Sequence, residues 1–185
     1  MRNSVLMIID LQNDYFPNGK FPLPNIESVS EQSKKILETA RENSLPIIHI
    51  KHEWHSPEAP FFAHASEGSE INEIVKPLDN EHIVVKNYPN SFKETNVKSI
   101  LDQHQCKNII IIGAMAQMCV DATVRAGSDL GYDITVIHDA IAAQNSQFDN
   151  MNISAKEVHA VFMNALSLGY ATVIDTKEII SQLQK

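Results

Sequence analysis

The chain has 185 residues, 43% of them hydrophobic and 21% charged, with a formal net charge of −8 and two cysteines. That length suits one domain with a sizeable core, so residues 1–185 are expected to form a single domain. The acidic balance excludes a basic face for nucleic acid or for an anionic membrane surface, and two cysteines do not make a disulfide framework.

The first apolar run, residues 4–9, is interrupted at once by Asp10, and no cleavage site of small residues follows it. No run approaches the roughly 20 residues of a membrane span. A reducing, cytoplasmic location with both thiols free is the expectation. Residues 4–9 read as a strand, followed by a helix whose stripe is Ile26, Val29, Ser33, Ile36, Leu37 and Ala40. A second strand is expected at 46–51 and an irregular stretch at 54–69. Strand 83–86 comes next, then a short helix striped by Val97, Ile100, Leu101 and His104. Strand 108–112 leads into a helix that begins near Cys119, and strand 133–138 into a second irregular stretch at 144–153. A helix with Ala155, Val158, His159, Phe162, Ala165 and Leu166 opens on a capping box, Ser154 to Glu157. Strand 171–174 and a last helix to Gln182, capped by Thr176, complete the chain.

The strands are near-continuously apolar, which is the pattern of strands covered on both faces. Strands alternating with helices predict an α/β fold: a three-layer α/β/α sandwich on an open, mostly parallel six-stranded sheet. Ligand sites in such sheets lie beyond the carboxyl ends of the strands. The residues there are Asp10, 51–55, Lys86, 113–119, His138 and Asp139. Cys119 is a nucleophile type, Asp10 can carry a proton, and Lys86 supplies positive charge. A helix N-terminus and Lys86 are expected to lower the Cys119 thiol pKa. Cys106, between a helix and a strand, reads as structural. The long stretches 54–69 and 144–153 are candidate lids or subunit contacts.

Three ordered segments carry a resemblance: "MIIDLQNDYF" at 7–16, "VVKNYPNSFKETNVKSIL" at 84–101 and "IIIIGAMAQMCVDATVRAGSDLGYDITVIHDA" at 109–140. Together they resemble the isochorismatase-like cysteine hydrolases, which include nicotinamidases, N-carbamoylsarcosine amidohydrolases and isochorismatases. The resemblance implies an Asp10–Lys86–Cys119 triad and a cis, non-proline peptide at Ala114–Met115. It implies an oxyanion hole from the Met115 and Cys119 amides. The reaction it implies is cleavage of a C–N bond in a small amide, ureido or lactam compound through a thioester. Gln12, Phe16, His52, Trp54, Phe92 and Gln117 are the expected pocket residues. In "HEWH" at 52–55, Glu53 and His55, with His64 or His52, stand where nicotinamidases hold a metal. Glu replaces the usual Asp, so no Zn, Mn or Fe is expected to be required. The family suggests a homo-oligomer, a dimer or tetramer. The alternatives are a nicotinamidase or isochorismatase proper, or a binding protein that has lost catalysis.

Overall fold

A computed structural model describes residues 3–56 and 58–184; Met1, Arg2, Pro57 and Lys185 lie outside it, and so do the corresponding parts of the expected domain and of the 54–69 stretch. Six strands form the central sheet: β1 (Ser4–Ile9), β2 (Ile47–His52), β3 (His82–Lys86), β4 (Asn108–Ala114), β5 (Asp133–Ala142) and, last in the chain, β8 (Thr172–Ile174). Their order across the sheet is β3-β2-β1-β4-β5-β8, and every pairing is parallel. The winding direction reverses between β1 and β4, the point where open α/β sheets bind ligands beyond the carboxyl ends of their strands.

Alternate side chains of the strands feed two cores, because successive residues point to opposite faces. On one face Val5, Met7, Ile9, Ile48, Ile50, Ile109, Ile111 and Val136 meet α2 (Val97–Gln103), α3 (Asp121–Asp129) and α4 (Ala155–Ser167). On the other, Leu6, Ile8, Ile110, Ile112 and Ile137 meet α1 (Ile26–Glu42) and α5 (Thr176–Leu183). The result is the α/β/α sandwich. Ser154 and Glu157 close the capping box of α4, as expected. Among the described residues, no helix is long and apolar enough to cross a membrane.

Three local expectations change. The cap of α5 is Asp175, which accepts from the Glu178 amide, whereas Thr176 is the first helical residue. Strand β5 runs on to Ala142 because β4 shifts register between Ile111 and Gly113, which re-pairs Gly113 with Ile141 and Ala114 with Ala142. His138 and Asp139 therefore lie inside a strand: Asp139 Oδ1 accepts from the amide and hydroxyl of Thr176, 2.8 Å each, and so anchors α5. The 144–153 stretch is not irregular either. It contains an antiparallel hairpin, β6 (Ser146–Phe148) and β7 (Met151–Ile153), turned by Asp149 and Asn150 at positive φ.

Gly113 is the close point between β1 and β4. It has φ +123°, and a Cβ there would lie 2.0 Å from the Ile9 carbonyl oxygen. Backbone cannot yield as a flexible side chain does, so Gly113→Ala should cost about 3 kcal/mol or more. The urea midpoint measures this, and an unchanged midpoint would refute it.

Candidate active site

Four neighbouring strand ends converge on the crevice. Asp10 follows β1 directly and sits in the left-handed region at φ 52°. Short polar residues tolerate that region, and the turn lifts the carboxylate out of the strand direction. The Asp10 amide donates to the Ile50 carbonyl at 3.0 Å, which holds the turn against β2. His52 ends β2 and Lys86 ends β3, and the two are direct register partners. Partners on adjacent strands project to the same face, so both side chains rise on the same side of the sheet. After β4, the Ala114–Met115 peptide is cis, and a five-residue π-helical turn, Ala116–Val120, carries Cys119 before α3 begins. Met118 and Val120 both donate to the Met115 carbonyl, at 3.0 and 3.3 Å. The expectation of an ordinary α-helical first turn at Cys119 is thus corrected to a wider turn one step ahead of the helix.

Lys86 Nζ is the hub. It lies 2.7 Å from Asp10 Oδ2, 2.9 Å from His52 Nδ1 and 3.2 Å from Cys119 Sγ. Cys119 Sγ is 3.9 Å from His52 Nδ1. All four residues are buried, none more than 4% exposed. Buried charges persist only when paired, and here one ammonium is surrounded by two groups that can each be anionic. Burial on its own would lower the Lys86 pKa, but Asp10 and Cys119 outweigh it and raise it. Burial, and then the Asp10 carboxylate, hold the Cys119 thiol well above its ordinary range, with Lys86 opposing them. The expected lowering of the thiol pKa is therefore reversed: Cys119 rests as a thiol beside the Lys86 ammonium. Cys106, at the other end of β4, is a free thiol bonded to the Asn108 carbonyl, and burial pushes its pKa up to about 11.

His52 is the histidine brought to the centre. Burial and then Lys86 lower its pKa to about 4, so it is neutral at ordinary pH. Trp54, 39% exposed, stacks on its ring at 5.3 Å and 18°. Gln12 is fully buried and acts as a surrogate strand for β2. Its amide donates to the His52 carbonyl and accepts from the His52 amide, both at 2.8 Å, and also donates to the Ser69 carbonyl at 2.7 Å. Gln12 is thus a support behind His52, not a pocket wall. Gln117 bonds the backbone of Gln144 through both ends of its amide, at 3.0 and 3.4 Å, and ties the nucleophile turn to the loop after β5. Phe92 points elsewhere: it stacks on Tyr132 at 6.1 Å and closes over Gly127, inside the α-layer. Phe16 is half-buried on a surface groove with Asn13, Pro17 and Gly19.

Two aromatic residues that sequence reasoning did not single out take the places intended for Phe16 and Phe92. Tyr15 is buried, and burial followed by the charges of Cys119 and Asp10 raises its pKa. Phe62 is fully buried, 4.5 Å from Tyr15 and 6.2 Å from the His52 ring. Asp14 makes this possible: its carboxylate accepts from the Phe62 amide at 2.6 Å and the Lys20 amide at 3.0 Å. The only available signal was the tract of aromatics and polar residues at 13–16, which does not say which ring turns inward.

Glu53, His55 and His64 do come together, with potential ligand atoms within 4.8 Å of one another. Both Glu53 oxygens are already held, Oε1 by Lys51 Nζ at 2.8 Å and Oε2 by His64 Nδ1. His55 and His64 are exposed and stack ring on ring at 4.3 Å. A divalent cation held by these three residues would take the place of the Glu53–His64 contact, with Lys51 still on Oε1. His138 lies away from the triad, where its carbonyl accepts from His159.

The isochorismatase domain model matches residues 4–178. An uncharacterized isochorismatase family protein of Bacillus subtilis, YddQ, is 40% identical over 177 residues, covering 96% of this chain and 98% of that one. The secreted isochorismatase effector Isc1 of Verticillium dahliae is 33% identical over 178 residues, covering 96% and 90%. A crystal structure from Oleispira antarctica, assigned to the isochorismatase hydrolases, superposes with a TM-score of 0.94 at 42% identity, covering 97% of each chain. With domain, relatives and fold in agreement, the chain belongs to the isochorismatase family of hydrolases.

Proposed function

We propose that this hydrolase is a cysteine-dependent amidohydrolase that cleaves a C–N bond in a small amide, ureido or lactam compound. The observation that carries the reading is the single buried ammonium, Lys86, 2.7 Å from Asp10 and 3.2 Å from Cys119. A fixed cation between two acids lets one proton move between them without changing the net charge of a low-dielectric site. The thiol proton passes to Asp10 and leaves a thiolate beside Lys86. The sulfur attacks the carbonyl carbon, and the oxyanion is received by the Met115 and Cys119 amides. As the C–N bond breaks, Asp10 gives its proton to the leaving nitrogen. Water then attacks the thioester, Asp10 takes a proton from it, and the C–S bond breaks to restore the thiol. Tyr15, Phe62, Trp54 and His52 supply apolar walls with few polar groups, which suits a small, flat amide.

The Verticillium relative's name favours a second reading, enol-ether cleavage of isochorismate. A panel of nicotinamide, carbamoyl amino acids, ureido compounds, lactams and isochorismate separates the two: ammonia, amine or ring-opened product supports the amidohydrolase. Turnover of isochorismate alone would overturn it. The reading needs no metal. After dialysis against EDTA, kcat should stay within about twofold, whereas loss with recovery on adding Zn or Mn would assign a metal. The working form is read as a homo-oligomer in a reducing cytoplasm, where both thiols stay free.

A further inference from the structure

The three Lys86 contacts have a consequence for His52. An ammonium has three protons and no lone pair. Asp10 Oδ2, Cys119 Sγ and His52 Nδ1 are its three partners, at 2.7, 3.2 and 2.9 Å. Nδ1 can meet an ammonium only as an acceptor, so the one proton of a neutral His52 ring resides on Nε2. That Nε2 is fully buried and has no hydrogen-bond partner. A buried donor is costly to leave without a partner. Turning the ring over would put the Cδ2–H in the place of Nδ1 and leave the Lys86 ammonium without its third acceptor. Trp54 stacked on the ring and Gln12 clamped on the backbone hold it in place.

We infer that His52 is a fourth working member of the site, whose Nδ1 positions Lys86 and whose Nε2–H donates to an acceptor oxygen of the substrate. Resting on the amidohydrolase reading, this adds a requirement to it: the substrate brings a carbonyl or carboxylate oxygen to the His52 side of the crevice. Through Nδ1, His52 is a positioning residue, because it spends the third ammonium proton and leaves the other two directed at Asp10 and Cys119. Through Nε2 it touches substrate. Glu53, the next residue, is no substitute, since its oxygens are held by Lys51 and His64.

The test has an arm that needs no variant and no turnover. In protein labelled with 15N-histidine, the His52 ring, assigned by difference from His52→Gln, should show the Nε2–H tautomer at pH 7. The Nδ1–H tautomer, or an imidazolium, would overturn the inference. A second arm separates the two nitrogens. Asparagine places its amide where Nδ1 lies and glutamine where Nε2 lies. Methyl methanethiosulfonate, a small thiol reagent without a carbonyl, reads the competence of Cys119, and acetamide serves as the substrate-like probe. His52→Asn should lose protection by acetamide about tenfold, the effect of one lost hydrogen bond, with a smaller change in Cys119 reactivity than His52→Gln shows. His52→Gln should keep that protection while Cys119 reacts about tenfold more slowly. Equal protection in His52→Asn, or no protection of wild type up to the solubility limit of acetamide, would overturn the donor role. Wild-type reactivity in His52→Gln would overturn the positioning role. If instead Cys119→Ala still hydrolysed substrate, the amidohydrolase reading would fall while the tautomer result stood.

Discussion

Cys119→Ala is expected to lower kcat/KM for any amide substrate by about 10^4-fold or more, the usual scale for removing a nucleophile whose partners act only with it. The structure says why the loss should be so complete. Lys86 and Asp10 have no other nucleophile to serve, since the second cysteine sits at the far end of β4 with its thiol pKa raised to about 11. The same substitution should leave the fold close to wild type, because the Lys86–Asp10 ion pair persists and only one sulfur is lost from a site lined by larger groups. Loss of activity with a preserved unfolding midpoint is therefore the specific signature. Residual hydrolysis near wild type in Cys119→Ala would remove the thioester route and favour direct attack by water.

Lys86→Met is expected to do the opposite to stability. The ammonium is fully buried against a fully buried Asp10. Removing it leaves a carboxylate with no counter-charge, which costs about 3–5 kcal/mol, whereas replacing a whole buried pair by neutral groups is often close to neutral. For a chain of this size that corresponds to a fall in Tm of about 10 °C. Adding Asp10→Asn should therefore restore much of the stability of Lys86→Met without restoring hydrolysis. A double-mutant cycle on the unfolding free energy reads this coupling directly. A Lys86→Met protein as stable as wild type would mean that the pair is not ionised in the folded state, and the proton shuttle would lose its fixed cation.

The skeleton of both predictions was legible in the chain. Residues 5–9 and 109–112 are apolar without interruption, and the polar residue that ends or follows such a run stands at the carboxyl end of a parallel strand. That placed Asp10, Lys86 and Cys119 on one edge of the sheet in the right order. The layer structure followed from the alternation of those runs with amphipathic helices. The misreadings share one cause. Phe16 and Phe92 were expected in the crevice because they follow strand-end motifs, but the direction of an aromatic ring depends on which neighbours it meets after the turn. Phe92 meets Tyr132 and Gly127, far along the chain. Likewise, β5 was expected to end at residue 138; a register shift in the neighbouring β4 carries it on to Ala142.

Local chemistry thus determined the strands, the helices and the three residue types at the strand ends, because periodicity and side-chain type are properties of short segments. Tertiary structure decided which histidine joins them. His52 stands beside Lys86 through the β2–β3 register, and Gln12 holds its backbone from 40 residues away. It also decided the protonation of the site. Burial and the Asp10 charge turn Cys119 from an expected thiolate into a resting thiol, because desolvation and charge proximity exist only once the chain has closed around them.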